Sequence, residues 1–375
     1  MTARPRSRAL AGWLLVTVAA GVSWFCFAHA VRQSDLHVFL TAADKVLAGA
    51  NPYTANDDPY LWSGSAFVYP WLAAFLFAPF TLLPTSTACL VFSGLSSAAI
   101  VAGCRTLGLR SAVAIAALLL AAPVLRNAEV GALNAVLFLL GAVLWRWRDS
   151  TPAVVACVVL LLGTKLFLAP LLLWVVLTRG WRCTGFTLGA LATYFGTGFL
   201  FGPVTLTTYL RSLSLLAQHE ALAGMSMRHL SALRGWPAWA PTAMGAVLLA
   251  VILVVWTRGR NDALLYAGCL SAGLLLTPIL WNSYLVVALL IVLVVRPSAP
   301  WVVAAAGGSW CLVGTARLHA VAGFSAEHRM ELLLTALLVL PLLALRRRLT
   351  LNGELDELDE LVLHTPTGQP AVLRH

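Results

Sequence analysis

The chain has 375 residues, 60% of them hydrophobic and only 11% charged, with a mean hydropathy of +0.86. That composition excludes a soluble globular domain, and its long runs without Asp, Glu, Lys or Arg exclude a soluble enzyme on one anchor and a β-barrel, whose strands alternate apolar and polar residues. The net charge of +10 would suit nucleic acid in a soluble protein, but lysine occurs only at Lys45 and Lys165 and arginines cap the apolar runs, so the charge is assigned to membrane orientation and nucleic acid is rejected as a partner.

Arg4, Arg6 and Arg8 precede an apolar run from Leu10 that imitates a signal peptide. The run is long, carries Trp13 and lacks a clear small-residue cleavage site, so it is read as a retained first helix. Apolar windows follow at about 67–83, 86–104, 111–125, 131–146, 152–178, 184–202, 238–256, 263–278, 280–295, 299–316 and 329–345. The expectation is an all-α polytopic membrane bundle of about twelve transmembrane helices. An even count puts both termini on one side, and Arg346-Arg347-Arg348 together with the basic start marks that side as cytoplasmic. Arg179, Arg182, Arg258, Arg260 and Arg296 then fall inside, whereas Arg105, Arg110, Arg146 and Arg148 do not. Either the charge rule is locally overridden, or windows 111–125 and 152–178 hide a broken or re-entrant helix.

Two polar stretches, 31–66 and 203–237, are too long for ordinary connections, and this topology places both outside. A third, 317–328, adds Arg317, His319, Glu327 and His328 on the same face. The membrane domain is taken as 1–348, and 349–375, with five acids between Glu354 and Glu360, as a solvated cytoplasmic tail. The seven cysteines show no paired spacing and read as packing residues. There is no Walker loop, dinucleotide fingerprint, HExxH or Cys/His cluster, so neither cofactor nor metal is expected.

Asp35 lies within a few residues of the first span, near the outer interface. A partly desolvated carboxylate there keeps enough basicity to take a proton from a sugar hydroxyl. The competing reading makes Ser34-Asp35 the N-cap of an amphipathic helix from Leu36 to Leu47 that ends at Gly49. Lys165 sits inside a long apolar window and either faces a polar cavity or snorkels. Arg126 and Glu129 flank Asn127 and read equally as an ion pair or as substrate contacts. Trp62, Trp236 and Trp239 read first as an interfacial belt and second as sugar-stacking platforms.

The order of these segments carries a resemblance. Asp35 after the first span, the AADKVLAG helix, the NPY turn at Asn51 and the stretch FVYPWLAAFLFAPFTLLP resemble glycosyltransferase family 87. GALN at Gly131–Asn134 looks like its Gly-Gln-x-Asn segment with Ala132 replacing Gln. The stretch from Gly163 to Arg182, with Lys165 and Pro170, is similar to its Lys-x-x-x-Pro helix, and Leu274–Leu290 to its Ser-Pro-x-Ser-Trp-x-His-His helix. The chain departs from the pattern at Asn282, Ser283 and Tyr284, where histidine is usual, and at Gly224–His229, where only Ser226 survives of an Asn-Gln-Ser-x-x-Gly pattern.

The resemblance implies a bacterial cell-membrane enzyme of GT-C architecture. It implies transfer of mannose, or in some members arabinofuranose, from a polyprenyl-phosphate donor to a lipid-linked or cell-envelope glycan on the extracytoplasmic face, with membrane lipids around it. A β-linked donor and an α-linked product imply inversion with one base, Asp35, and no metal. The leaving phosphate needs cations or donors. Lys165, Arg126, Arg211, Arg228, His229, His319, His328 and Tyr284 are the candidates, with Tyr53, Tyr69, Asn134 and Asn282 for the acceptor and the loop. A transporter and a silent scaffold are the competing classes, but no internal repeat is visible and the ionisable groups gather in outer loops, which favours an enzyme.

Overall fold

Proline decides which apolar windows become continuous helices and which break. In the computed structural model, which describes residues 5–29, 33–220, 224–237, 239–314 and 325–345, every regular element is helical. The first run forms α1 (Pro5–His29). The amphipathic stretch of the first long loop forms α2 (Ser34–Leu47), closed by Gly49 at φ 70°. Window 67–83, interrupted by Pro70 and Pro79, becomes a 3-10 helix over Trp71–Phe77 and one α turn, α3 (Ala78–Thr81), before α4 (Thr85–Thr106) starts behind Pro84. Window 111–125 divides into α5 (Ala112–Leu119) and α6 (Ala122–Val130), bent by 50°, with Pro123 in the first turn of α6.

After α7 (Asn134–Arg146), window 152–178 yields α8 (Thr151–Thr164), an extended Lys165, a 3-10 turn over Leu166–Leu168, and α9 (Leu171–Thr178). Pro170 has no N–H to continue a ladder from α8, and its ring crowds the carbonyl four residues back. α10 (Gly180–Leu200) leads to the second long loop, which holds α11 (Leu206–His219) and α12 (Met227–Leu233). α13 (Ala240–Gly259) and α14 (Asp262–Leu276) follow. Thr277 is extended (ψ 127°), as a residue before proline prefers, and a 3-10 turn over Asn282–Leu285 leads into α15 (Val286–Val295). α16 (Ala299–Val313) and α17 (Ala326–Val339), prolonged by a 3-10 turn over Leu340–Leu342, complete the described chain. The acidic tail 349–375 lies outside the described residues.

Twelve straight spans are therefore not what the windows build. Among the described residues, α4, α13 and the segment Ala326–Leu345 are long and apolar enough to cross a membrane, or four segments if the bent α5–α6 pair counts as one span. Eight further apolar segments of the described chain have 10–17 residues, and at Pro70, Pro79, Pro170 and Pro278 it is proline that cuts the window short.

Window 152–178 is a hairpin. Arg179, just after α9, donates to Asp149 at 3.0 Å and to the Arg148 carbonyl at 3.3 Å, both just before α8, and also pairs with Asp262 at the head of α14. The two ends of the window meet there and Lys165 sits at its tip. Window 152–178 is thus a broken helix, and Arg148 lies at the same end of it as Arg179.

α14 and α15 form a second hairpin. Gly141 of α7 sits against both arms, its carbonyl accepting from Tyr266 Oη at 2.8 Å and its missing Cβ leaving room for Leu290. The two tips touch. A Cβ on Gly273 would lie 2.5 Å from the Phe167 carbonyl oxygen, and the Phe167 ring stacks on Tyr284 at 5.1 Å.

α2 is clamped by its buried face. Leu36, Phe39 and Ala43 are fully buried, and Phe39 stacks on Phe77 at 4.2 Å. Gly131 ends α6 in the left-handed region (φ 66°), where a Cβ would meet Leu36 Cβ at 2.8 Å. Gly131→Ala is expected to cost ~1–2 kcal/mol for the left-handed backbone and a further ~1–3 kcal/mol for crowding Leu36. Gly49→Ala, at the same φ but in open space, bears only the first cost. Thermal unfolding in detergent separates the two, and equal losses would remove the close approach of α6 to α2 as a stabilising feature.

Candidate functional site

At the tip of the first hairpin the backbone of Lys165 is extended (φ −142°, ψ 100°) while its N–H still bonds the Leu161 carbonyl. That turn sends the side chain inward, and Lys165 is only 5% exposed. Its Nζ donates to Tyr69 Oη at 3.1 Å and to Tyr284 Oη at 2.8 Å, and it lies 4.6 and 4.2 Å from the two ring centroids. All three residues come from apolar windows that fail to form one continuous helix. Backbone of that kind is tolerated at membrane depth only where it is buried in protein or lines a cavity.

The balance of terms shows what this cluster lacks. Burying an ammonium costs several kcal/mol, whereas a hydrogen bond to a charged group returns ~1.5–3 kcal/mol and a desolvated cation–π contact ~2 kcal/mol. Two tyrosines can hold the cation in place, but as neutral groups they do not cancel its charge. Lys165 makes no ion pair among the described residues. Because each phenol oxygen accepts from Nζ, each O–H hydrogen is left to donate, and no acceptor for either is found among the described residues. The tips therefore present an ammonium and two hydroxyl donors to one place.

Asp35 lies in the first turn of α2, half-buried, with Ser34 Oγ at 3.5 Å. It is not the cap that the local pattern offered. The helix begins at Ser34 behind Gln33, without a side-chain cap, and Asp35 instead complements the positive end of the helix dipole. Burial pushes its carboxyl above the usual aspartate range, against the opposing pull of the nearby Lys165 ammonium and of Ser34. Glu220, the only acid in 203–237, is likewise raised by burial and, to a smaller extent, by the charge of Asp35. Sequence reasoning passed over Glu220; its isolation in that loop was the available signal.

Tyrosines pin the strand of chain that presents Tyr69. Tyr53 Oη donates to the Tyr69 carbonyl at 2.8 Å and Tyr209 Oη to that of Val68 at 3.1 Å. Desolvation raises both phenols, keeping them neutral donors. Phe39 of α2 packs 4.4 Å from the Tyr69 ring, so α2, and with it Asp35, is fixed against the same strand. Beside Ser34, a cavity of about 440 Å³ runs along α2, with His37, Thr41 and Lys45 one helical turn apart on one wall and Thr54 and Tyr60 opposite. Among the described residues no carboxylate lines it.

The other sequence candidates are placed as follows. Asn134 opens α7, fully buried, with neither amide atom hydrogen-bonded among the described residues, and its N–H bonds Asn127 Oδ1 at 3.1 Å. Asn282 starts the turn that carries Tyr284. Arg126 pairs with Glu129 inside α6, and Arg211 is exposed on α11. Arg228 donates to the Ala217 carbonyl at 3.2 Å, joining α12 to α11, while His229 Nδ1 lies 2.7 Å from the Gly224 carbonyl. His328 bonds Ser325 at the head of α17, and His319 lies outside the described residues. Of the Trp candidates, Trp62 stacks on His219 at 4.0 Å, whereas Trp236 and Trp239 are exposed. Among the described residues no three His, Cys, Asp or Glu side chains gather as metal ligands.

The family model described as Glycosyltransferase family 87 matches residues 67–280, more than half of the chain. No curated protein and no solved structure matches it. The chain belongs to glycosyltransferase family 87, and its apolar helices make it a membrane-associated glycosyltransferase. The matched span contains Tyr69 and Lys165, while Asp35 and Tyr284 flank it.

Asp35 is expected to lose its proton above the ordinary aspartate range. Lys165→Met, which removes the charge that opposes burial, should move that pH higher still. Infrared titration of the carboxyl band, with Asp35→Asn as the subtraction, reads both. A lower or unchanged midpoint in Lys165→Met would show that the ammonium does not act on Asp35.

Proposed function

We propose that this family 87 glycosyltransferase moves mannose from polyprenyl-phosphate-mannose to a hydroxyl of a lipid-linked or cell-envelope glycan, with inversion and without a metal. The observation that carries the proposal is the convergence of the buried Lys165 ammonium with the Tyr69 and Tyr284 hydroxyls, beside the helix α2 that carries Asp35 and packs Phe39 on the Tyr69 ring. Asp35 takes the proton of the acceptor hydroxyl, and the freed oxygen electron pair forms the bond to C1 of the sugar. The bond from C1 to the phosphate oxygen breaks, and its electron pair leaves with the polyprenyl phosphate. Lys165, Tyr69 and Tyr284 meet the charge that develops on that oxygen, in a dry site where each fixed donor contributes several kcal/mol at most.

In this proposal Tyr284 does the work for which the family pattern uses histidine, since its hydroxyl bonds Lys165 directly. The acceptor enters along the cavity of α2, which reaches Ser34 and offers His37, Thr41, Thr54 and Tyr60 among apolar side chains, with no carboxylate among the described residues that line it. The site faces the extracytoplasmic side of a bacterial cell membrane, both termini lie in the cytoplasm, and the helical architecture is of GT-C type. An arabinofuranose donor would use the same atoms.

Purified protein in nanodiscs with short-chain polyprenyl-phosphate-mannose and candidate acceptor lipids is expected to transfer sugar. Asp35→Asn should lower transfer at least ~10²-fold, the usual range for a lost general base. Tyr284→Phe should lose about tenfold in kcat, with less change in acceptor KM. Full transfer by Asp35→Asn removes the base from the proposal, and absence of turnover with mannose and arabinofuranose donors alike removes the reaction.

A further inference from the structure

Arg296 follows α15 directly, at the end of that helix opposite the turn carrying Tyr284, and α15 is 10 residues, or ~15 Å, long. Its Nε is buried without a hydrogen-bond partner, and it makes no ion pair among the described residues. Arg126, Arg148, Arg179 and Arg234 differ in this respect, each being paired with a carboxylate. Beside Arg296 a groove of about 240 Å³ runs between α15, α16 and the turn after α17, walled by Val292, Val295, Trp301, Ala305 and Leu343. It is smaller than the ~300–1,000 Å³ of ordinary ligand pockets and almost wholly apolar, which suits a hydrocarbon chain and not a sugar.

We propose that this groove holds one anionic phospholipid, with its phosphate on the Arg296 guanidinium and an acyl chain along the apolar walls. A planar guanidinium with an unused N–H matches a phosphate through two parallel hydrogen bonds, and a zwitterionic headgroup brings its own cation to the same place. Trp301, 47% exposed at the edge of the groove, has the amphipathic character that places tryptophan at the level of lipid headgroups. The apolar walls select a lipid over free phosphate. The site is separate from the sugar chemistry, and its occupancy does not depend on turnover.

The test is native mass spectrometry of delipidated protein offered equal phosphatidylglycerol and phosphatidylcholine. Wild type is expected to retain phosphatidylglycerol about tenfold over phosphatidylcholine, and excess inorganic phosphate should not displace it. Arg296→Gln should bind both lipids alike, Arg296→Lys should keep part of the preference, and Ala305→Phe should retain neither lipid. Equal retention of the two lipids by wild type, an undiminished preference in Arg296→Gln, or displacement by phosphate alone would each overturn the proposal.

Discussion

The ammonium of Lys165 is the constraint around which the rest of the structure is arranged. A buried cation that makes no ion pair among the described residues is expensive, and three segments of irregular backbone converge on its nitrogen. Each segment interrupts an apolar stretch: the proline-broken window behind Tyr69, the tip at Lys165 and the tip before Tyr284. Continuous helices through these stretches would have carried the three side chains apart. The breaks that shorten the helices are thus the same breaks that build the site.

The opposite end of the two hairpins is closed by ordinary ionic contacts. Arg179 holds Asp149 and Asp262, and Arg148 approaches Asp262 at 3.7 Å, so the starts of α8 and α14 and the end of α9 are tied together. At the tips the Lys165 ammonium is held by two neutral phenols and by no ion pair among the described residues. α2, held by Leu36 against Gly131 and by Phe39 against Tyr69, brings Asp35 towards the same place. In the proposed reaction a carboxylate made more basic by burial would remove a proton, and the ammonium and its phenol neighbours would receive the leaving anion.

Much of this was legible in the sequence because it is local. The amphipathic run ending at Gly49 specified α2, and a lone lysine in a long apolar window stood out as a residue that has to be either accommodated inside the protein or drawn to the interface. What stayed hidden depends on distant pairing. Lys165 meets Tyr69 across 96 residues and Tyr284 across 119, and no periodicity reports such contacts. Tyr284 read as a departure from the family pattern; in the fold its hydroxyl is the closer of the lysine's two partners. Tyr209 lies on α11 and Glu220 at its C-terminal end, inside a stretch that composition shows only as a long loop. The count of straight spans missed the proline breaks, which are local, and the way the two ends of 152–178 meet, which joins residues 30 apart.

The central claim is that the tips form an anion site for a lipid phosphate beside a base. The most direct measurement is the affinity of the chain in nanodiscs for a short-chain polyprenyl phosphate, the leaving group alone, in wild type, Lys165→Met and Asp35→Asn. The account predicts that Lys165→Met binds at least ~10-fold more weakly, the loss of one buried charge-assisted contact. Asp35→Asn should bind as tightly as wild type or tighter, because a neighbouring negative charge is gone. Unchanged affinity in Lys165→Met, or a loss in Asp35→Asn equal to that in Lys165→Met, would contradict it.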